Sequence, residues 1–315
     1  MDTVLVTGGA GFIGSHLAER LLSRGDRVIC LDNFDRYYSP QVKRNNIKKA
    51  LDSELFELVE YDIRDDLTEI FRSYRIDRIV HLAARAGVRF SISDPFIYQD
   101  VNIRGTINLL EQIKEYGITN FVFASSSSVY GASADIPFCE IDNLTKPVSP
   151  YAASKQAGEL FCYTYHHLYQ ISITCLRFFT VYGPRQRPDM AIHKFTGLID
   201  RGEEIPLYGD GTSKRDYTYI SDIIDGVISA LDNPLGFEVF NLGGSDTTEL
   251  SHLLSLLEQK MGKKAKLRSL PIQAGDVPIT YADIAKAKRL LKYEPRVKIE
   301  QGIDEFIRWY KNGRC

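Results

Sequence analysis

An apolar run, Thr3-Val4-Leu5-Val6-Thr7, passes directly into Gly8-Gly9-Ala10-Gly11-Phe12-Ile13-Gly14, and Ser15 to Ser23 then places Leu17, Leu21 and Leu22 on one helical face before Gly25. No other stretch limits the possible folds as much. A buried strand, a glycine turn and a helix, in that order, open a doubly wound sheet. The glycines let the backbone turn tightly and approach a pyrophosphate, which sits at the positive end of the helix. The spacing Gly8-x-x-Gly11-x-x-Gly14 differs from the Gly-x-Gly-x-x-Gly of the commonest dinucleotide folds.

The same alternation continues. Arg27 to Leu31 reads as a second strand ending at Asp32-Asn33, where a carboxylate accepts hydrogen bonds from ribose hydroxyls and repels a 2′-phosphate. NAD is therefore expected over NADP. Phe56 to Glu60 is a third strand, ending in Tyr61-Asp62-Ile63 with Asp62 placed to meet the adenine amino group. Asp77 to Ala84 is a fourth, whose small Leu82-Ala83-Ala84 end lets a cofactor pass close, and His81 reads as a core or strand-end histidine. A helix from about Asn102 to Tyr116 precedes a fifth strand, Asn120 to Ala124, which brings Ser125 to Ser128 to the same edge. The polar segment 34–53, with Tyr37, Tyr38, Lys43 and Arg44, reads as a solvated loop and short helix. Alternating strands and helices imply an α/β, Rossmann-type parallel sheet with right-handed crossovers, and ligands collect at the carboxyl ends of its strands.

Ser149-Pro150-Tyr151-Ala152-Ala153-Ser154-Lys155 brings reactive groups to that edge. Proline suits the first turn of a helix, and residues four apart on a helix share a face, so the Tyr151 phenol and the Lys155 ammonium can enter one cavity. A nearby cation favours the phenolate of an otherwise weak base. Beyond Gly183 the character changes to a proline-bounded connection, a helix from Met190 to Arg201 and an extended Ile205 to Tyr208. We expect a cofactor domain over 1–180, with 218–245 returning to it, and a smaller, interleaved substrate domain over 181–315. The last helices, around Leu250 to Met261 and Ile303 to Tyr310, read as structural.

A net charge of −2 with dispersed basic residues offers no field for nucleic acid. Cysteines 30, 139, 162, 175 and 315 show neither metal spacing nor a paired framework, so no metal and a reducing, cytoplasmic setting are expected. No apolar run reaches the length of a membrane span.

Taken together, the glycine turn, Asp32, Leu82-Ala83-Ala84, Asn102, the serine strand end with Val129-Tyr130-Gly131, Tyr151-x-x-x-Lys155 and Tyr182-Gly183-Pro184 resemble the extended short-chain dehydrogenase/reductase family over essentially the whole chain. The resemblance implies bound NAD held by Gly8, Gly11, Phe12, Ile13, Gly14, Asp32, Asn33, Asp62, Ile63, Leu82, Ala83, Ala84, Asn102 and Ala124 along with Tyr151 and Lys155. It makes Tyr151 the base, Lys155 the partner that lowers its pKa, and Ser126 the contact to the sugar 4-hydroxyl. Dehydratases of this family carry an Asp-Glu pair where Ser127-Ser128 stand, so the added acid and base for elimination are missing.

Asp32 to Tyr38, Ala86-Gly87-Val88-Arg89 and Arg177 to Pro184 are similar in particular to UDP-glucuronate 4-epimerases, with Thr180 where UDP-glucose 4-epimerases typically have Asn. That resemblance implies Ser127, Ser128, Thr180 and Arg187 around the sugar and its carboxylate. Tyr208, Arg215 and Asp276 would hold the UDP, with Gln273 where relatives often carry a second phosphate arginine. The rival expectations are a UDP-glucose or UDP-N-acetylglucosamine 4-epimerase and a non-catalytic NAD-binding regulator. Helices near 102–116 and 152–169 resemble those that pair in family homodimers, the second carrying Leu160, Phe161, Tyr165 and Leu168.

Overall fold

Continuous apolar runs on short strands can bury both faces of a sheet only if helices cover both. The computed structural model, which describes residues 2–132, 135–142, 144–273 and 275–313, is built on that solution. Cys315 lies outside the described residues. In chain order, β1 (Thr3–Thr7), α1 (Phe12–Ser23), β2 (Arg27–Asp32), α2 (Pro40–Ile47), β3 (Phe56–Glu60), α3 (Thr68–Ser73) and β4 (Arg78–His81) come first. Two short helices, α4 (Val88–Ser93) and α5 (Pro95–Tyr98), lead through a turn of π-helix into α6 (Gly105–Tyr116), followed by β5 (Asn120–Ser126), α7 (Pro150–Tyr169) and β6 (Ser172–Phe178). Then come β7 (Thr180–Tyr182), α8 (Ala191–Arg201), β8 (Glu204–Tyr208), β9 (Lys214–Arg215), β10 (Tyr217–Tyr219) and α9 (Ile220–Asp232). The chain ends with β11 (Phe237–Leu242), β12 (Thr248–Glu249), α10 (Leu250–Met261), β13 (Lys266–Leu270), α11 (Ala285–Leu291) and α12 (Ile299–Asn312).

Seven strands form one sheet in the order β3-β2-β1-β4-β5-β6-β11. Every neighbouring pair is parallel. The order reverses at β1, which opens a crevice between the ends of β1 and β4. Strand periodicity divides the core in two. Val4, Val6, Val28, Val80 and Val122 face Leu17 and Leu21 of α1 and Ile223 and Val227 of α9. Leu5, Ile29, Ile79, Phe121 and Phe123 face Leu109 and Ile113 of α6 and Cys162 and Tyr165 of α7. A separate core forms where α8, α10 and α12 pack through Ile192, Phe195, Leu253, Leu257, Ile303 and Phe306, beside the short strand pairs β10–β7 and β13–β8.

Two local differences from the sequence reading bear on the site. β4 stops at His81 and does not run to Ala84: Leu82 N still bonds Thr7 O (3.1 Å), but Ala83 N bonds the Thr7 hydroxyl (3.2 Å) and leaves the backbone ladder. The helix expected from Asn102 is α-helical only from Gly105, since Asn102 lies within the π-helical turn.

Candidate active site

The carboxyl ends of the central strands and the start of α7 enclose a cleft of about 220 Å³. Gly8, Gly11, Phe12, Ile13, Gly14, Asp32, Asn33, Asp62, Ile63, Leu82, Ala83, Ala84 and Ala124 all line it, and so do Tyr151, Lys155 and Arg187. The glycine turn is as close as a pyrophosphate cradle requires. Gly8 has φ +68°, and a Cβ there would lie 2.8 Å from Ala83 N. A Cβ on Gly14 would lie 2.3 Å from Gly8 O. These residues fit a dinucleotide.

Asp32 is held in place by three donors. Its carboxylate accepts from Phe34 N (2.9 Å), Ala10 N (3.2 Å) and Lys43 Nζ (3.0 Å). The solvated reading of 34–53 is corrected here, because Tyr37, Tyr38 and Lys43 line the cleft and Lys43 is buried. Polar composition suggested solvent, but the Lys43–Asp32 ion pair and the Asn46 bond to Ala10 O (3.1 Å) draw α2 inward. Asp62 is engaged by Arg64 (2.8 Å) and Asn33 Nδ2 (2.7 Å). Burial acts to raise its pKa, but the Arg64 hydrogen bonds prevail and draw it down to about 2.

The Ser149 hydroxyl caps α7 by accepting from Ala152 N (3.1 Å), with Pro150 in the first turn. Tyr151 and Lys155 therefore leave adjacent turns of a helix whose start faces the cleft. Lys155 is buried and donates to Ala124 O (2.7 Å). Burial lowers its pKa to about 8. Burial also raises that of Tyr151, while its hydrogen bond with Ser126 and the Arg187 charge act in the opposite direction. The Ser126 hydroxyl donates to Ser128 Oγ (3.2 Å) and accepts from Ser128 N (3.2 Å), tying the serine turn together. Ser126 pairs in register with Phe178, two residues before Thr180, so Ser127, Ser128 and Thr180 leave one edge of the sheet.

Asn102 stands behind the cleft and does not line it. Its amide donates to Arg85 O (2.9 Å) and Ser154 Oγ (2.9 Å), and its carbonyl accepts from Arg85 N (2.7 Å). Arg187 is gripped by Asp189 through two bonds of 3.0 and 2.9 Å and lies 5.8 Å from the Tyr37 ring centre. Tyr208, Arg215 and Asp276 gather away from the cleft around Arg89, for which the sequence reading assigned no role. Arg89 pairs with Asp276 (3.0 Å) and sits 4.6 Å over the Tyr208 ring. Arg215 bonds Lys214 O (2.8 Å) and Pro278 O (3.4 Å), and burial lowers its pKa. Among the described residues, the buried Gln273 Oε1 has no hydrogen-bond partner.

Tyr37, Tyr38, Lys43 and Arg85, which line the cleft, and Arg89 beside Asp276 and Tyr208 were given no site role in the sequence reading. An aromatic pair inside an otherwise polar segment was the available signal for the first two. Among the described residues no group of three His, Cys, Asp or Glu could hold a metal, and no helix is long and apolar enough to cross a membrane.

A dinucleotide cradle joined to a tyrosine–lysine helix defines a dinucleotide-dependent enzyme that exchanges hydride with its substrate. The family model described as GDP-mannose 4,6 dehydratase matches residues 5–306, and the chain belongs to this branch of the extended short-chain dehydrogenase/reductase family. A UDP-glucuronate 4-epimerase of Thermodesulfobacterium geofontis is 45% identical over 314 residues, covering 99% of this chain and 97% of that protein. The crystal structure of UDP-glucuronic acid 4-epimerase from Bacillus cereus, in complex with UDP-glucuronic acid and NAD, matches with a TM-score of 0.93 at 38% identity, covering 98% of this chain and 99% of that one. UDP-glucose 4-epimerase from Thermotoga maritima, with UDP-glucose, matches with a TM-score of 0.90 at 32% identity, covering 99% and 100%.

Proposed function

We propose that this chain is an isomerase, an NAD-dependent 4-epimerase interconverting UDP-glucuronate and UDP-galacturonate through a 4-keto intermediate. One observation carries the reading: Tyr151 and Lys155 line the dinucleotide cleft with Ser126 hydrogen-bonded to Tyr151, while the positions that supply a dehydratase with its acid and base are Ser127 and Ser128. The chemistry supplied by bound NAD is reversible hydride acceptance at C4, with no net redox change. Tyr151 removes the 4-hydroxyl proton and later returns it. Ser126 orients that hydroxyl, and the Lys155 ammonium favours the phenolate. Arg215 and Arg89 hold the diphosphate while the keto-sugar turns its other face.

Oxidation at C4 of a glucuronate makes a β-keto acid, which loses carbon dioxide when its carboxylate stands perpendicular to the ketone. Ser127, Ser128 and Thr180 hold the carboxylate nearer the ketone plane through charge-assisted hydrogen bonds. Thr180→Val is expected to release more UDP-pentose than wild type, and an unchanged yield refutes this role.

The whole reading is tested by incubating the protein separately with UDP-glucuronate and UDP-glucose and resolving the products. Turnover confined to UDP-glucose overturns the acidic substrate in favour of the neutral one. Tyr151→Phe is expected to lower kcat by about 10²–10⁴ with NAD still bound, and a wild-type rate removes Tyr151 as base. The exposed Leu160, Phe161 and Leu168 of α7 support a homodimer through this helix, although Tyr165 turns inward to bond Glu111 and belongs to the core. The four described cysteines, free and three of them buried, support a reducing, cytoplasmic setting.

A further inference from the structure

Tyr151 and Lys155 occupy successive turns on one face of α7, and the next residue on that face is Glu159. It is buried, although carboxylates are rarely buried unless paired. Three donors meet it: Ser125 Oγ at 2.5 Å, Arg177 Nε at 2.9 Å and Arg177 Nη2 at 2.8 Å. Ser125 and Arg177 are register partners on β5 and β6, so both side chains rise from the sheet toward α7. Arg177 continues to Tyr130 OH (2.9 Å), which donates to Asn241 Oδ1 (2.7 Å) on β11. The helix is pressed onto the sheet at this point, since a Cβ on Gly158 would lie 2.4 Å from the Phe123 ring. Lys155 Nζ sits 5.1 Å from the centre of that same ring.

We infer that Glu159 is a positioning residue for the proposed reaction. Through Ser125 it locks the strand end that carries Ser126 to the helix face that carries Tyr151 and Lys155, and its carboxylate balances the buried Arg177 guanidinium. The groups that meet Lys155 are His81 from β4, the Phe123 ring from β5, Cys175 from β6, and Glu159 and Cys162 from its own helix. Among the described residues, Glu159 is the only carboxylate in this set. Its charge opposes the effect of burial on Lys155. Without it, Arg177 is a buried cation that has lost its ion-pair partner, and the ammonium that Tyr151 depends on is lost at lower pH.

The inference rests on the proposed epimerase activity, so its test has a readout independent of turnover. Protein labelled with ¹³C at the lysine ε-carbon reports the Lys155 titration directly, assigned by the signal lost in Lys155→Met. Glu159→Gln is expected to move the midpoint down by about one pH unit, and Arg177→Met to move it up by a similar amount. Opposite shifts from the two halves of one ion pair cannot arise from loosened packing, which both variants share. In the epimerase assay, Glu159→Gln is expected to lower kcat on the order of tenfold with KM nearly unchanged. If the two midpoints move the same way, or neither moves by more than about 0.3 unit, the inference is wrong whatever the substrate proves to be. If Glu159→Gln does not fold, an upward shift in Arg177→Met supports the inference, and a downward or absent shift overturns it.

Discussion

Acidification should destabilise this protein through a buried histidine. His81 is 1% exposed at the end of β4 and is bonded on both sides, with Nδ1 2.7 Å from Thr7 Oγ1 and Nε2 3.0 Å from Thr106 Oγ1. The Thr106 hydroxyl donates to Asn102 O (2.7 Å), so Nε2 must be the donor toward Thr106. Nδ1 is then left to accept from the Thr7 hydroxyl, and the ring is neutral. Burial and the Lys155 charge lower its pKa to about 3, against 6.5 in the unfolded chain. Between those values the unfolded state binds more protons than the folded one. The stability His81 contributes is therefore present above pH 6.5 and is lost as pH falls.

At pH 5 the unfolded state gains RT ln(1 + 10^1.5), about 2 kcal/mol, relative to pH 8. The figure is insensitive to the folded pKa as long as that lies well below 5. His16, lowered to about 4 by burial, acts in the same direction, so the comparison must isolate His81. Urea unfolding at pH 8 and pH 5 is measured for wild type and for His81→Asn, and the change in ΔG with pH is compared. The variant is expected to be less stable at pH 8 but to lose about 2 kcal/mol less on acidification. Equal pH dependence in the two proteins, within about 0.5 kcal/mol, would refute the reasoning.

Other consequences follow from the cleft. Gly14→Ala places a methyl 2.3 Å from Gly8 O and 2.7 Å from Gly9 Cα, both backbone atoms, so the turn must shift. We expect a loss of about 1–3 kcal/mol and purified protein depleted of bound dinucleotide, read from the nucleotide released on denaturation. Arg89→Met removes the guanidinium that joins Asp276 to the Tyr208 ring. KM for the UDP-sugar should rise about tenfold, with kcat largely retained. Lys43→Met leaves Asp32 without its ammonium partner. The dinucleotide is then expected to bind more weakly, by about tenfold in dissociation constant, measured by equilibrium dialysis.

The fold and the tyrosine–lysine pair at the cleft were legible because both are local patterns. The apolar run from Thr3 to Thr7, the glycine turn, and a tyrosine and lysine one helical turn apart each depend on neighbours within a few residues. Asp62 was recognised at a strand end, but its engagement by Arg64 and Asn33 was not visible, since a partner's orientation has no signature in spacing. The segment 34–53 misled for a related reason. Lysine is usually solvated, and only the placement of Asp32 made Lys43 a buried counter-ion.

By itself, the sequence determined a parallel doubly wound sheet with a dinucleotide turn and put Tyr151, Lys155 and the serine strand end on one side of it. Tertiary structure alone decided what surrounds them. Glu159 meets Arg177 and Ser125, Arg89 meets Asp276 and Tyr208, and Arg187 lies beside Tyr37. These partners lie from 18 to 187 residues apart. Backbone periodicity is set by each residue's immediate neighbours, whereas the pairing of buried charges depends on which elements the folded sheet brings face to face.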